Sequence, residues 1–419
     1  MVKNYNPVWE KYGVAITFII AFLLIWLRRP DLLTNAQFWA EDGRVWYAGV
    51  YNGSIIDFIL TPKNGYYQTI SKLTAAVSLA IPIELAPLLF NIVAISIRAM
   101  AISFLLSSRM SDISFSGRLC VSLFAILMPE ITEIHANITN THWYLALYLL
   151  LILIARPAKS AAGKAHDIVM TIIAGLSGPF VVFMAPVVLM KLIHNKALQF
   201  RRIDISKVDL ISYIVAACSV IQAVSILLTA DGTRTKAPLG ASMDTLSSIL
   251  SSRIFFSSFS TARDASWLWN YPFFKYLVCF IGFTAIVYTL IKSDWKMRSV
   301  VIFPAIMFAF ALAKPQMANI EDQWPKFMLS GERYTVIPSI AMFAVICYCI
   351  GQIKGYIGKA VTICFTILYL YTAVDNFKIR KMPDLNWGNE VVKLHSAKKG
   401  EEVKMKINPV GWDMVLIKK

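Results

Sequence analysis

The sequence predicts an all-α polytopic membrane protein, and three observations carry that prediction. Of the 419 residues, 57% are apolar and only 16% are charged, whereas soluble globular chains average about 45–50% apolar and about 25% charged residues. The mean hydropathy is +0.59. The apolar residues also cluster in runs separated by basic residues, a pattern typical of several membrane-spanning helices.

The apolar runs give the predicted spans. Several are shorter than the ~20 residues that a helix perpendicular to a bilayer needs, which is typical of broken or re-entrant segments. Leu176-Ser177-Gly178-Pro179 interrupts one run and could split it in two. We therefore expect about 11 transmembrane helices, within a range of about 9 to 12. The runs are 13–27, 67–81, 87–107, 118–130, 143–156, 167–193, 207–229, 272–291, 299–313, 333–352 and 359–374.

Basic residues in the connecting segments predict the orientation. By the positive-inside rule, segments rich in lysine and arginine face the cytoplasm. These segments lie near 109–118, 156–164, 191–202, 292–298 and 354–359. The N-terminus is then cytoplasmic, and the C-terminal tail, 375–419, which follows the transmembrane domain 1–374, lies on the outer side of the membrane. The other outer loops are 28–66, 230–271 and 314–332.

The region 67–165 leaves two topologies open. Either 67–81 re-enters the membrane, or 167–193 is a single span and 108–117 faces outward. Positive-inside counting favours the first alternative. That alternative makes the stretch from Glu130 to His142 an outer loop beside the first one.

The tail has a β pattern. Val403-Lys404-Met405-Lys406-Ile407 alternates apolar and basic residues, and Asn408-Pro409-Val410-Gly411 is typical of a turn. A second strand over Trp412–Ile417 would complete a short hairpin at the outer membrane surface.

The first outer loop contains an acidic pair, Glu41-Asp42, surrounded by aromatic residues. Carboxylates at a membrane surface are costly to place and mark functional sites. One of them could deprotonate an acceptor hydroxyl, or the two could hold a divalent cation; alternatively, Asp42 simply caps a helix over 42–51. We favour Asp42 as the base, because helical spacing starts there and Gly43 leaves room for a substrate. The aromatic neighbours are Phe38, Trp39, Trp46 and Tyr47.

The end of the same loop offers ligands for a phosphate. Lys63 precedes a turn, and Tyr66 and Tyr67 follow it. A lysine beside tyrosines suits a lipid-borne phosphate, although an interfacial aromatic belt with a snorkelling lysine gives the same pattern.

An unusually polar block lies between two short apolar runs. Histidine and asparagine side chains there could bind sugar hydroxyls, although a re-entrant loop whose polar groups satisfy one another is the alternative. Two histidines without a placed carboxylate do not define a metal site. The candidate residues are His135, Asn137, Asn140, His142 and Trp143.

Later outer loops add further candidates. Arg263 stands near two tryptophans, and Arg333 opens a predicted span. An arginine at the outer end of a helix can bind a phosphate bidentately. Glu332 could bind substrate, or pair with Arg333 and neutralise it.

Other functional classes find little support in the sequence. The chain has no Walker loop, HExxH, Gly-x-Ser-x-Gly or dinucleotide motif, so a soluble nucleotide donor and an obligate cofactor are not expected. The net charge of +16 sits mostly in the loops between apolar runs, which indicates contact with membrane lipids and not with nucleic acid. The six cysteines all lie in apolar segments, where we expect free thiols.

Several blocks of the chain resemble a known family. The stretch Trp39-Ala40-Glu41-Asp42-Gly43 is similar to the first outer loop of bacterial GT-C-fold glycosyltransferases, in particular the serotype-converting O-antigen glucosyltransferases often encoded by phages. The resemblance extends, as an order of individually weak blocks, over most of the chain. The other blocks are Asn137 to Trp143, Gly178-Pro179, Gly331-Glu332-Arg333-Tyr334 and the tail around Asn408 to Trp412.

The resemblance implies an activity. Such an enzyme of the bacterial inner membrane takes glucose or another hexose from undecaprenyl phosphate and transfers it to lipid-linked O-antigen, a lipopolysaccharide precursor, on the periplasmic face. The family places an acidic residue of the first outer loop as general base, which here is Asp42 or Glu41. Lys63, Arg263 and Arg333 are then the candidates to stabilise the departing lipid phosphate. The outer loops here are short, and no large soluble domain follows the last span.

Two other classes of membrane protein remain alternatives. A flippase or transporter of lipid-linked saccharide would need charged residues inside the spans, where Arg98 is the clear example. An O-antigen polymerase or a membrane acyltransferase is the other, since an acyltransferase would use His135 or His142 with an acid.

Overall fold

A computed structural model describes residues 7–199, 202–229, 237–261, 263–317 and 321–419. Helices dominate these residues. The α-helices are α1 (Pro7–Arg28), α2 (Asp31–Thr34), α3 (Ala48–Asn52), α4 (Ile55–Leu60), α5 (Thr69–Ser78), α6 (Ala86–Leu106), α7 (Phe115–Leu127), α8 (Thr141–Ile154), α9 (Ala161–Gly175), α10 (Ala185–His194), α11 (Leu210–Thr229), α12 (Met243–Ile249), α13 (Trp267–Asn270), α14 (Pro272–Lys292), α15 (Trp295–Ala313), α16 (Gln323–Phe327), α17 (Glu332–Gln352), α18 (Gly355–Asp375) and α19 (Trp387–Ser396).

Two antiparallel hairpins, two π-helices and several short 3-10 helices complete the described part of the fold. The hairpins pair β1 (Leu198–Gln199) with β2 (Arg202–Ile203), and β3 (Glu402–Ile407) with β4 (Trp412–Ile417). The second hairpin confirms the strand pattern predicted for the tail. The π-helices are Asp42–Tyr47 and Leu250–Phe255.

Six segments of the described chain are long and apolar enough to cross a membrane. Four more apolar helices are shorter: Tyr12–Arg28, Phe115–Leu127, Thr141–Ile154 and Pro179–His194. The all-α prediction agrees with this architecture, whereas the count of about 11 spans and the GT-C fold stay predictions. The six longer segments are Ile83–Leu106, Leu210–Thr229, Pro272–Lys292, Trp295–Ala313, Glu332–Gln352 and Gly355–Asp375.

The helices form a bundle with two distinct ends. At one end, which we name the Asp112 end, Asp112 forms ion pairs with Arg156 and Lys296 and so joins three short connections. At the other, the Asp42 end, Asp42 contacts the loop over residues 128–140, which we name the polar loop. In the described parts of the chain, the connections predicted to be cytoplasmic contact one another at the Asp112 end, and those predicted to be outer loops contact the polar loop at the Asp42 end.

The segment 68–84, in the region whose topology the sequence leaves open, begins and ends near the same end of the bundle. Gln68 forms a β-bridge with Ser177, and the Glu84 carbonyl accepts a hydrogen bond from the indole of Trp387 in the tail. Both ends of the segment that contains α5 therefore lie at the Asp42 end. The run 167–193 is divided, as the Gly178-Pro179 interruption predicts, into α9, a 3-10 segment and α10.

Buried arginines connect α1 and α6 to the neighbouring helices. Arg28 donates to the Ile126 and Met128 carbonyls at 2.5 and 3.1 Å, and to the Asn376 carbonyl at 2.9 Å. These carbonyls follow the ends of α7 and α18 or lie in the last turn, where intrahelical donors are lacking. Arg98 likewise donates to the Ile126 carbonyl at 3.1 Å. The charged residue inside a span is therefore part of the packing that holds the helix ends together.

The C-terminal tail, residues 375–419, packs over the first outer loop. Trp39 forms a β-bridge with Asn408, and the Asn408 amide donates to the Phe38 carbonyl at 3.0 Å. Phe38 also packs edge-on against Trp387, with ring centroids 5.2 Å apart. One apolar cluster thus joins α19, the β3–β4 hairpin and the segment 38–47.

Candidate functional site

The acidic pair lies where the chain turns sharply into a π-helix. Ala40 has a φ of +40°, an uncommon conformation for a residue with a side chain. Glu41 is the N-cap residue of the π-helix, and Asp42 is the first residue within the helix. Backbone outliers and π-helices are both enriched at functional sites. The helical prediction for 42–51 agrees with the π-helix and the following α3.

Asp42 is fully buried, and its carboxylate accepts three hydrogen bonds. The amide of Ile138 donates to Oδ2 at 2.9 Å, while the amide and the hydroxyl of Thr139 donate to Oδ1 at 2.8 and 2.6 Å. The Thr139 hydroxyl in turn accepts from the Trp46 indole at 2.9 Å. Asp42 therefore does not cap its own helix. It fixes the end of the polar loop, 96 residues further along the chain.

Burial raises the pKa of Asp42 to about 7, although the hydrogen bonds from Thr139 and Ile138 oppose that shift. Glu41 adds a smaller contribution in the same direction as burial, because like charges disfavour ionisation. The carboxylate thus titrates near neutral pH inside a rigid hydrogen-bonded site.

Glu41 differs from its neighbour in exposure and in partners. Its side chain is only half-buried. Within the described ranges, it forms no hydrogen bond or ion pair, whereas both oxygens of Asp42 are occupied. Glu41 is therefore the carboxylate of the pair that a substrate can reach.

Gly43 does not leave room for a substrate, so that prediction is wrong. A Cβ atom at this position would lie 3.0 Å from the Cβ of Phe38 and 3.1 Å from the Cδ1 of Ile407. The glycine instead lets the tail hairpin approach the π-helix closely.

The polar loop is held by its own side chains. Asn137 donates to the Glu133 carbonyl at 2.7 Å and accepts from the Asn140 amide at 3.0 Å. The Asn140 side chain also donates to the Glu133 carbonyl, at 3.2 Å. Both asparagines are buried. These contacts favour the alternative in which the polar groups of the loop satisfy one another, and they leave the two asparagines less available to bind a sugar.

His135 lies apart from the acidic pair, inside the bundle. Its ring is fully buried, Nε2 donates to the Ile25 carbonyl at 3.1 Å, and Nδ1 lies 3.2 Å from the Arg98 guanidinium. Both ring nitrogens are occupied by protein groups, so the structure gives His135 a packing role and no access to a substrate.

His142 and Trp143 lie at the start of α8, next to the end of the polar loop. His142 Nδ1 donates to the Thr139 carbonyl at 2.6 Å, which leaves Nε2 as the acceptor nitrogen. The ring stacks on Phe180, with centroids 5.4 Å apart. Trp143 packs edge-on against Tyr334, with centroids 5.6 Å apart. These two residues connect the acidic pair to the N-terminus of α17.

Lys63, Tyr66 and Tyr67 belong to a tight turn at the same end. Lys63 and Tyr66 exchange backbone hydrogen bonds of 3.0 and 3.3 Å. The Gln222 side chain on α11 accepts from the Tyr67 amide at 2.9 Å and donates to the Gly178 carbonyl at 3.0 Å. A Cβ at Gly178 would lie 3.3 Å from His142. The turn is thus fixed beside His142, while the Lys63 side chain is exposed.

Arg333 pairs with the polar loop and not with Glu332. Its guanidinium forms an ion pair with Glu133 and donates to the Gln316 carbonyl at 2.8 Å. Glu332 instead accepts the Glu133 amide at 2.8 Å. The interpretation that Glu332 neutralises Arg333 is therefore wrong, although Arg333 does have a carboxylate partner. The two residues anchor the N-terminus of α17 to the polar loop.

Arg253, and not the predicted Arg263, faces the polar loop. Arg263 is exposed, and its side chain contacts none of the other candidate residues in the described chain. Arg253 lies on the second π-helix, is 4% exposed and points its guanidinium at Glu130, 4.0 Å away. The sequence signals missed here were a glutamine inside an apolar span, Gln222, and an arginine inside a serine-rich stretch, Arg253.

Metal binding finds no further support in the geometry. Across the described residues, no three side chains of His, Cys, Asp or Glu are grouped to hold an ion. The six cysteines are free thiols, as predicted, but only Cys218 and Cys279 are buried, whereas Cys120 and Cys364 are exposed.

The described residues define a mostly helical protein in which six helices are long and apolar enough to cross a membrane. The chain matches no protein-family model, and no curated protein shows significant similarity to it.

Proposed function

We propose that this protein is a membrane glycosyltransferase that acts at the Asp42 end. It moves a hexosyl residue, glucose in the first instance, from undecaprenyl phosphate to a lipid-linked O-antigen or similar polysaccharide. The single observation that supports this best is the contrast within the acidic pair. One carboxylate is locked into the protein by three hydrogen bonds, and its neighbour remains half-buried and without a protein partner.

Glu41 is the general base in this mechanism, and Asp42 is its positioning residue. The Glu41 carboxylate takes the proton of an acceptor hydroxyl as the hydroxyl oxygen attacks the anomeric carbon. The bond between the anomeric carbon and the phosphate oxygen breaks, and the electron pair leaves with the polyprenyl phosphate. Asp42 holds the polar loop against the π-helix, so that Glu41 faces a fixed surface.

Lys63 is the best candidate to stabilise the departing phosphate. Its ammonium is exposed on a turn that Gln222 fixes beside Gly178 and His142. A cation fixed near the developing negative charge lowers the barrier electrostatically. Arg333 is already paired with Glu133, so we assign it to anchoring α17. His142 Nε2, as an acceptor, suits a sugar hydroxyl.

The proposed orientation places the Asp42 end in the periplasm and the Asp112 end in the cytoplasm of a bacterial inner membrane. The N-terminus is then cytoplasmic and the tail periplasmic, which matches the basic segments of the Asp112 end. A divalent cation is not required in this mechanism.

The alternatives receive less support from the contacts. Arg98, the charged residue that favoured a transporter, donates to helix-end carbonyls. His135 and His142, which an acyltransferase would pair with an acid, contact carbonyl groups and an arginine in the described chain. We therefore keep the glycosyltransferase as the one proposed function.

Glu41→Gln tests the proposal directly. Loss of a general base lowers rates by about 10²–10⁴-fold, and we expect a loss in that range with unchanged protein abundance. The assay uses cells that make the lipid-linked donor. Serotype antibody and NMR of the isolated polysaccharide measure the extent of O-antigen glucosylation. Asp57→Asn, an exposed carboxylate of the same loop, is the matched control and should transfer at the wild-type rate.

Wild-type transfer by Glu41→Gln at normal abundance would overturn the assignment of the base. Wild-type transfer by the double variant Glu41→Gln, Asp42→Asn would overturn the mechanism as a whole. Accumulation of polyprenyl-phosphate glucose in the cytoplasmic leaflet of either variant would favour a flippase instead.

A further inference from the structure

A large apolar cavity lies inside the bundle, away from the acidic pair. Its volume is about 430 Å³, within the range of about 300–1,000 Å³ that ligand pockets occupy. Helices α6, α7, α8, α15 and α17 form the walls, and none of the candidate residues at the Asp42 end lines it. Most of the lining is aliphatic, including Ile102, Leu105, Leu147, Leu151, Ile337 and Ile340.

Charged side chains of the lining gather at the Asp112 end. They are Asp112, Arg118, Asp294 and Lys296. Arg118 donates to the Leu106 and Ser107 carbonyls at 2.9 and 2.7 Å, and Asp112 pairs with Lys296. These contacts brace the mouth of the cavity from within the protein. The deeper walls offer almost no hydrogen-bond partner to a polar ligand.

Hydrocarbon is the occupant that such walls favour. Water needs two to four polar partners, and apolar cavities of roughly 150 Å³ stay dry and take up apolar ligands instead. A cavity almost three times that volume leaves many side-chain atoms without van der Waals partners. A flexible chain of methylene groups supplies those contacts without needing a hydrogen bond.

The charge of the Asp112 end identifies the headgroup. Among the described residues, segments 107–118, 155–167, 191–199, 204–209, 292–298 and 353–359 contain thirteen lysines and arginines against five aspartates and no glutamate. Basic residues near a membrane surface attract anionic lipid, by about 1 kcal/mol each. Lys296 lines the cavity at its mouth. The single carboxylate of Asp112 pairs with both Lys296 and Arg156, so these three side chains together carry a net positive charge.

We propose that the cavity binds one acyl chain of an anionic phospholipid whose headgroup lies at the mouth beside Lys296. The lipid fills the centre of the bundle at the Asp112 end and stabilises the packing of α7 against α15 and α17. The site is separate from the proposed transfer reaction and does not depend on it.

A photoreactive lipid tests the site in the full-length protein. The probe is phosphatidylglycerol with a diazirine in one acyl chain, added to protein in phosphatidylcholine nanodiscs. Peptide mapping should place crosslinks on the cavity walls of α7 and α17. Crosslinks confined to the outer, lipid-facing sides of the helices would overturn the proposal.

Wall variants sharpen the test. Ala341 is 7% exposed and lines the cavity on α17, so Ala341→Phe fills the space. Val300→Phe does the same from α15 if the first variant is poorly folded. We expect a several-fold loss of wall crosslinks in either, judged on protein that remains monodisperse. Ala360→Phe on the exposed side of α18 is the matched control and should crosslink like the wild type.

The headgroup is tested separately. Lys296→Gln should remove the preference for phosphatidylglycerol over a phosphatidylcholine probe while wall crosslinks persist. Equal labelling by both probes in the wild type would overturn the anionic headgroup. Displacement by polyprenyl phosphate, but not by excess phosphatidylglycerol, would overturn the phospholipid in favour of the chain of a polyprenyl lipid. Wall crosslinks unchanged in both phenylalanine variants would overturn the cavity as the site.

Discussion

Two carboxylates at one end of the bundle and two at the other have different kinds of partner. At the Asp112 end, Asp112 and Asp167 pair with side-chain cations, at 2.5 Å from Arg156 and 2.6 Å from Arg109. At the Asp42 end, Asp42 and Glu332 accept backbone amides of the polar loop. Short turns leave few amides unpaired, whereas a long irregular loop must satisfy many. At the Asp42 end, Asp42 and Glu332 thus hold the backbone of the polar loop, whereas Glu133 and Glu130 face arginines. Glu41 has no hydrogen-bond or ion-pair partner among the described residues.

Replacement of the two aspartates should show the largest difference between the ends. Asp42→Ala leaves one buried and two partly buried donors unpaired, at about 1–3 kcal/mol each, so we expect a loss of about 4 kcal/mol in the free energy of unfolding. Asp112→Ala removes ion pairs of a side chain that is 34% exposed, and such pairs contribute about 0–1 kcal/mol. Thermal denaturation of both variants in the same detergent measures the difference. Similar losses in the two variants would contradict the comparison.

The two ends should also respond oppositely to pH. The pKa of Asp42 is raised to about 7 by burial, above its value of about 4 in an unfolded chain. The stability that this group contributes is therefore full below about pH 4 and is lost as the pH rises towards 7, by at most about 4 kcal/mol. The ion pairs with Lys296 and Arg156 lower the pKa of Asp112, so its contribution is present above about pH 4 and lost in more acidic solution.

Hydrogen exchange of the amides of residues 136–141, corrected for intrinsic rates, measures the effect of Asp42 between about pH 5 and about pH 8. Protection should fall as the pH rises, and Asp42→Asn should flatten the profile. Protection that rises with pH in the wild type would show that Asp42 stays ionised.

A pair of glycines gives the smallest predicted effect. Gly43→Ala forces a Cβ to within 3.0 Å of Phe38 and 3.1 Å of Ile407, and overpacking of this kind costs about 1–3 kcal/mol. Gly388 lies in α19 with no atom within 4 Å of an added Cβ, so Gly388→Ala should stabilise by up to about 1 kcal/mol. A lower thermal midpoint for Gly43→Ala and a higher one for Gly388→Ala, each relative to the wild type, would confirm that the tail packs on the π-helix. A neutral Gly43→Ala would indicate that the tail is easily displaced.

Local patterns in the sequence predict much of this fold. Apolar runs give the helices, the Gly178-Pro179 interruption gives a break, and alternation over Val403–Ile407 gives a strand, because each pattern depends on near neighbours in the chain. The partner of the tail was not predictable in this way. Asn408 and Trp39 are far apart in sequence, and no local pattern around either residue predicts that the two will pair.

For the candidate site, too, the location could be predicted from local patterns, whereas the contacts within the site could not. Its location at one end, with the polar loop beside the acidic pair, follows from where polar residues interrupt the apolar runs. The internal partners of Asn137 and Arg333 do not follow, because an exposed ligand and a buried loop brace have the same composition. Arg253 and Gln222 were missed for a related reason, since a single polar residue becomes informative only when its burial is known.

The order of residues alone places Glu41 and Asp42 side by side, in an aromatic loop between the first apolar run and the next. The difference between the two carboxylates arises in the tertiary structure. Asp42 meets Ile138 and Thr139 across 96 residues of chain, and the tail closes over the same segment. Burial and hydrogen bonding at that distance arise from the packing of whole helices, so two adjacent acids that look alike in sequence receive different environments.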